Sequence, residues 1–198
     1  MSSSVARVLG LVGILASLAV LVAHHPPRAL RVHVDAARAR HDPWAAYLAP
    51  ENACPGGGRT DLAVVAQDRV MVCLLAYARE RAGLGPLPVV YLLNRSSLLK
   101  AMDIVRCSDF SHTACGKPFT SVFLEVGYSG STGENIAWAD TSSGSPLAIV
   151  SGWLNSPHHR ENLFSRDWTE QGVALVPASS FLGAREAQVW VNEFGSPG

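Results

Sequence analysis

The sequence predicts an α+β fold or a layered α-β-α sandwich built around one hydrophobic core. Helical periodicity comes first, within residues 61–126, and runs rich in β-branched and aromatic residues follow at 172–176 and 188–194. Helices and strands do not alternate in a strict βαβ order. This arrangement favours antiparallel strands over a parallel, doubly wound sheet.

The first two predicted helices are the longest. The first is capped by Thr60 or Asp61 and stops before Gly83. Its apolar positions follow helical spacing and are Leu62, Ala66, Val70, Cys73 and Tyr77. A second helix is predicted over residues 92–106, because its apolar residues share one face. That helix leads directly into a short loop between two cysteines.

Shorter elements follow this loop. A third helix is predicted over residues 118–126, and SGSTG at 129–133 predicts a turn before a short strand at 134–139. Ser145 and Pro146 have the N-cap and N1 arrangement that opens another helix. The last two strands, already noted, are joined by a glycine-containing connection and are expected to pair with each other.

Composition limits the classes of function. The chain has 198 residues, 48% of them hydrophobic, which fits one medium domain with an appendage. Lys and Arg number 16 and so do Asp and Glu, so the net charge is zero. A nucleic-acid binder needs a basic surface to neutralise phosphates, so nucleic acid is excluded as a partner.

The N-terminal segment has the layout of an export signal. Arg7 precedes an uncharged apolar run at residues 8–23, which histidines and prolines end. The run is intermediate in length between a signal-peptide core and a membrane span. We therefore expect a signal peptide or membrane anchor over residues 1–25, a linker over 26–60 and the domain over 61–195. The protein is then secreted, or anchored facing the extracytoplasmic side, with membrane contact only through this segment.

Four cysteines fit an exported chain. An even count in an oxidising compartment predicts disulfides. Cys107 and Cys115 would close a short loop around His112, leaving Cys54 and Cys73 as the second pair. The two other pairings remain possible from the count alone.

Three polar segments interrupt apolar sequence and carry the candidate chemistry. They supply His112, Glu134 and either His158 or His159. Two imidazoles and one carboxylate suit Zn²⁺ or another divalent cation with an open coordination position. No HExxH helix supports this pattern, and the gaps between the residues are long.

A nucleophile is not favoured. Ser111 or Ser156 could be combined with a histidine and Glu134 into a triad, but no GxSxG elbow presents a serine. The cysteines are more simply used in disulfides.

Taken in order, several segments resemble the CAP superfamily, also called SCP-like or PR-1-like extracellular domains, in its compact bacterial form. The segments are LLAYARERAGLGPL (74–87), DIVRCSDFSHTACG (103–116), GENIAWA (133–139), SGWLNSPHHRENL (151–163), EQGVALV (170–176) and VWVNEFG (189–195). The resemblance covers about residues 61–195. It implies a three-layer α-β-α sandwich with a central antiparallel sheet and a cleft lined by two histidines and acidic residues.

The resemblance also implies roles for individual residues. His112 matches the first cleft histidine and Glu134 the glutamate of GEN, while His159 matches the second histidine because it precedes the arginine of the HR pair. His158 stands where the bacterial pattern usually has glycine. Ser156 stands where animal and plant members have a second glutamate. The other residues expected to line the cleft are Asp109, Ser111 and Asn135.

Two functions follow as hypotheses. The first is an exported, non-enzymatic binding module for a lipid, a sterol, a cell-wall component or a protein, with a cleft able to hold a divalent metal. The second is a metal-dependent extracellular hydrolase or protease in which a bound metal activates water. The serine at position 156 favours the first, because acid-base catalysis needs two groups with separated pKa values.

Overall fold

The computed structural model describes residues 42–198, so the predicted signal or anchor at residues 1–25 lies outside the described residues. Five α-helices and three strands form the described part of the chain. They are α1 (Val64–Arg81), α2 (Tyr91–Cys107), α3 (Ser121–Val126), β1 (Gly130–Asp140), α4 (Pro146–Asn155), α5 (Pro157–Phe164), β2 (Glu170–Ala178) and β3 (Ala187–Pro197). Short 3₁₀-helices lie at Ala45–Tyr47 and Ala114–Gly116.

The sheet is antiparallel, and β3 lies between β1 and β2. Helices α1, α4 and α5 cover one face, where Trp153 and Trp190 are fully buried. Helices α2 and α3 cover the other face, where Ile104 packs with Ile136 and Val191. This arrangement confirms the predicted three-layer sandwich with a central antiparallel sheet.

Helix α2 lies directly on the sheet because Gly172 leaves room for it. A Cβ atom at Gly172 would overlap the main chain of Leu93 and Asn94 in α2. The Asn94 side chain uses this close approach to accept a hydrogen bond from Val173 N–H at 2.8 Å. The contact fixes α2, and with it the loop that follows α2, relative to the strands.

Two local predictions were wrong. Helix α1 begins at Val64 after Ala63, with no side-chain cap from Thr60 or Asp61. The Asp61 carboxylate is instead paired with Arg59 at 2.8 Å. Residues 130–133, predicted as part of a turn, belong to β1, because β3 continues far enough to pair with them.

Residues 42–60, expected to form part of a linker, pack on the domain. Trp44 lies against Tyr47 and Phe164, with ring centroids 5.3 and 6.2 Å away, and Arg160 stacks over Trp44 at 4.3 Å. The packed structure therefore begins before residue 61.

Both favoured disulfides form. Cys54 is bonded to Cys73 and Cys107 to Cys115, at Cα separations of 5.8 and 5.4 Å. They are consistent with an oxidising, extracytoplasmic compartment. Among the helices of residues 42–198, none is long and apolar enough to cross a membrane.

Candidate functional site

His112 lies in the loop between α2 and α3, which is held at two points. The Cys107–Cys115 disulfide closes the loop over a sequence separation of 8 residues. Lys100, on the inner face of α2, donates a hydrogen bond from Nζ to the His112 carbonyl oxygen at 2.5 Å. The imidazole is 35% exposed, so it reaches the surface while its main chain is fixed from below.

Glu134 holds the His112 ring from the sheet. It lies in β1 with its side chain fully buried, and Oε1 is 2.6 Å from His112 Nδ1. A carboxylate can only accept, so Nδ1 is the donor in this hydrogen bond, and in the neutral ring Nε2 has the lone pair. The second carboxylate oxygen, Oε2, is 3.6 Å from Lys100 Nζ. A buried ion pair thus sets the orientation of a partly exposed imidazole.

His159 is positioned by an amide network that connects α5 to β1. The Asn135 side chain is fully buried and donates from Nδ2 to the His159 carbonyl oxygen at 2.9 Å. Asn162 donates to Asn135 Oδ1 at 3.0 Å and to the Glu134 carbonyl oxygen at 3.1 Å. The helix with the second histidine is therefore attached to the strand that orients the first.

The His159 ring is uncharged at neutral pH. Burial, with smaller contributions from the charges of His112 and His158, lowers its pKa to about 4. Its Nδ1 is buried and has no hydrogen-bond partner among the atoms of residues 42–198. Glu134 and Asn135, which bond to His112 and to the His159 carbonyl, are adjacent residues of β1, so both histidines lie beside the same part of that edge strand. The structure thus brings both predicted histidines to one place.

The remaining predicted residues differ in position. His158 points into solvent with its side chain 90% exposed, 3.6 Å from Glu161, so His159 is the residue that turns inward. Ser156 lies between α4 and α5 and caps neither through its side chain. Asp109 and Ser111 are half-buried in the His112 loop, where the Asp109 carbonyl accepts from Ser111 N–H.

Two buried ionisable residues of the site are missing from the sequence-based prediction. Lys100 is 2% exposed, and Glu193 of β3 is 0% exposed. Glu193 is the strand partner of Glu134. Burial and the charge of Glu134 raise the pKa of Glu193 well above the ordinary value for a glutamate. The charge of Lys100 acts in the opposite direction and lowers it. An acidic residue on a largely apolar strand is the signal that could have found Glu193, whereas Lys100 lies among other buried polar residues of α2, such as Ser97 and Asp103.

The donors can be compared with the predicted His/His/Glu metal set. Glu134 directs Oε1 at His112 and Oε2 towards Lys100, which is the arrangement of a carboxylate that orients a histidine. Across residues 42–198, no group of three or more His, Cys, Asp or Glu side chains is placed to hold a metal ion. The donors that fit a cation are the two imidazoles, and the other coordination positions would need water or a ligand.

Together these features define an extracellular-type α-β-α domain with a two-histidine site beside a buried carboxylate. The chain belongs to the CAP (cysteine-rich secretory protein) family, whose model matches residues 60–194.

One curated relative and several solved structures are similar. The YkwD protein of Bacillus subtilis strain 168 is 31% identical over 134 residues, which is 66% of this chain and 48% of YkwD. The chain thus spans about half the length of that relative.

The solved structures are more distant. An extracellular SCP-domain protein of Bacillus anthracis has a TM-score of 0.56 and 23% identity, over 67% of this chain and 41% of that one. The outer surface protein of Borrelia burgdorferi has a TM-score of 0.54 and 20% identity, over 66% of this chain and 92% of that one. At such identities the likeness supports the fold alone.

Proposed function

We propose that this protein is an exported, non-enzymatic binding module whose two-histidine site holds a divalent cation such as Zn²⁺. The observation that carries this proposal is the pairing of an oriented His112 with an uncharged His159. The uncharged His159 ring and the Nε2 atom of a His112 ring held through Nδ1 can each offer a lone pair, which is what a borderline cation such as Zn²⁺ requires. The ligand outside the membrane is a lipid, a sterol, a cell-wall component or a protein.

Binding is favoured over catalysis by the state of the carboxyl groups. A general acid or base must reach the reacting atoms. Glu134 is buried and bonded to His112, and Glu193 is buried behind it. Position 156, where animal and plant members of the family have a second glutamate, is a serine and supplies no carboxylate. A metal-activated water would thus have no accessible carboxylate from these positions to take its proton.

An extracytoplasmic site of action agrees with several features. The disulfides require an oxidising compartment, and the apolar run at 8–23 has the layout of an export signal. The structural relatives from Bacillus anthracis and Borrelia burgdorferi are described as an extracellular and an outer surface protein. Secretion and membrane anchoring are both compatible with the proposal.

The test is calorimetric titration of Zn²⁺ into the metal-stripped full chain. We expect one Zn²⁺ per chain for the wild type. His112→Ala and His159→Ala should each weaken binding at least ~10-fold through the loss of one of two protein ligands. His158→Ala is the matched control, because His158 points into solvent next to the site, and its binding should equal that of the wild type. Equal Zn²⁺ binding by all three variants would contradict the proposal.

A parallel measurement addresses the hydrolase hypothesis. The protein is incubated with casein and with simple ester substrates, with and without a chelator. We expect no turnover above a protein-free control. Chelator-sensitive hydrolysis that disappears in His112→Ala would instead identify a metal-dependent hydrolase.

A further inference from the structure

The strand register places a second carboxyl group behind Glu134. Glu193 lies directly opposite Glu134 in the antiparallel pair of β1 and β3, so both side chains project from the same face of the sheet. That face is covered by α2, which contributes Lys100. Glu193 is on the central strand, with Gly172 of β2 on its other side. Three ionisable side chains therefore share one buried space beneath His112.

With a neutral His112 ring, the charges in this space do not balance if Lys100 and both glutamates are ionised. One lysine would face two carboxylates in a low-dielectric interior, where an uncompensated charge is costly. As carboxylate oxygens, Glu193 Oε1 and Oε2 would find no hydrogen-bond donor in the described part of the chain, and neither would Glu134 Oε2. A proton on Glu193 removes the excess charge and supplies the missing donor. The raised pKa of Glu193 agrees with this state.

We propose that Glu193 is a positioning residue for His112 that acts through Glu134. Glu193, as a neutral acid, donates its O–H to the Glu134 carboxylate and holds it in place. Glu134 Oε1 is then directed at His112 Nδ1, so the proton stays on Nδ1 and the Nε2 lone pair stays available.

A purely structural role would not need an acid at this position. The neighbours on this face of the sheet are apolar, including Ile136, Val189 and Val191. An unbranched apolar side chain of similar length could fill the space without burying a polar group. The partner that the strand register offers the Glu193 carboxyl group is Glu134.

The test uses NMR of the full chain labelled with ¹⁵N in its histidine rings, without added metal and at a pH where the rings are neutral. Long-range ¹H–¹⁵N spectra report which ring nitrogen carries the proton. Glu193→Gln keeps a neutral donor, and Glu193→Met keeps the length without one. We expect the Nδ1-protonated signature of His112 in the wild type and in Glu193→Gln, and its loss for most molecules in Glu193→Met. His158 is the internal control and should not change.

Two results would overturn the inference. One is a folded Glu193→Met variant with the wild-type His112 signature, and the other is a Glu193→Gln variant that loses that signature. If Glu193→Met does not fold, Glu193→Asp withdraws the carboxyl by one methylene and should show the same loss. The role of Glu193 rests on the proposed cation site through His112, but the NMR measurement of the His112 ring needs no cation. A failed Zn²⁺ titration and a failed NMR result are therefore distinguishable.

Discussion

Replacing Lys100 by Met removes the cation of the buried cluster and is the sharpest test of its energetics. Lys100 Nζ lies 3.6 Å from Glu134 Oε2, and both side chains are at most 2% exposed. At an effective dielectric constant of about 20, a pair at this distance is worth ~4–5 kcal/mol. Breaking a buried pair from one side typically costs about 3–5 kcal/mol, because the remaining charge stays buried. We therefore expect Lys100→Met to lose ~3–5 kcal/mol of unfolding free energy.

The assay is denaturant unfolding at neutral pH, with Lys117→Met as the matched control. Lys117 Nζ is 2.6 Å from Asp103 Oδ2, but its side chain is 37% exposed and Asp103 keeps Arg106 as a partner. A solvent-exposed pair contributes at most ~1 kcal/mol. A loss below ~1 kcal/mol for Lys100→Met, or one equal to that of Lys117→Met, would refute the assignment of a buried ion pair.

Three further predictions concern the stability of the folded domain. Burial raises the pKa of Asp68 to about 6, so the folded state binds a proton that the unfolded state releases, and stability falls as pH rises from about 4 to 6. Asp68→Asn keeps the acceptor for Leu175 N–H and should gain ~1–2 kcal/mol at neutral pH but nothing below about pH 4, as measured by denaturation at both pH values. Gly172→Ala would force its Cβ into the main chain of α2 and should cost over ~3 kcal/mol, so a midpoint shift near zero would disprove that close approach. Cys107→Ser/Cys115→Ser should cost ~2–3 kcal/mol in thermal melts, and wild type treated with a reductant should lose more than this variant, because the reductant also opens Cys54–Cys73.

The sequence predicts the elements whose residues carry their own local signal. Helix α4 begins where Ser145 and Pro146 place it, with the Ser145 side chain accepting from Ala148 N–H. Helix α5 was not predicted, because only Leu163 of its eight residues is buried and the apolar periodicity is weak. The first residues of β1 were misread as a turn, because only pairing with the end of β3 makes that glycine-containing stretch extended. Local patterns thus identify helices but not long-range pairing, and in α2 they also gave the wrong packing face, because Leu98 and Met102 of the predicted apolar face are 36% and 51% exposed.

The candidate site shows the same difference between residues with a local sequence signal and residues that depend on long-range contacts. His112, Glu134 and His159 were selected as candidates because polar residues stand out in apolar sequence and match family motifs. Lys100 and Glu193 were missed because each was counted within an apolar element. Their link to the site is visible only in the folded chain, where α2 lies over β1 and β3 and the strand register sets Glu193 against Glu134. The spacing of residues along the sequence does not show that these side chains are neighbours in the fold.

The position of β3 between the other two strands also has a consequence for synthesis. Strand β3 is the last of the three in the chain, yet β1 and β2 pair only with it and not with each other. A nascent chain that has not yet reached Ala187 therefore has two strands with no partner, and the sheet forms in one late step. We expect a chain stopped before Ala187 to remain unfolded and sensitive to proteases. An exported polypeptide with this topology would stay extended, as threading through a translocation channel requires, until its final strand has been made.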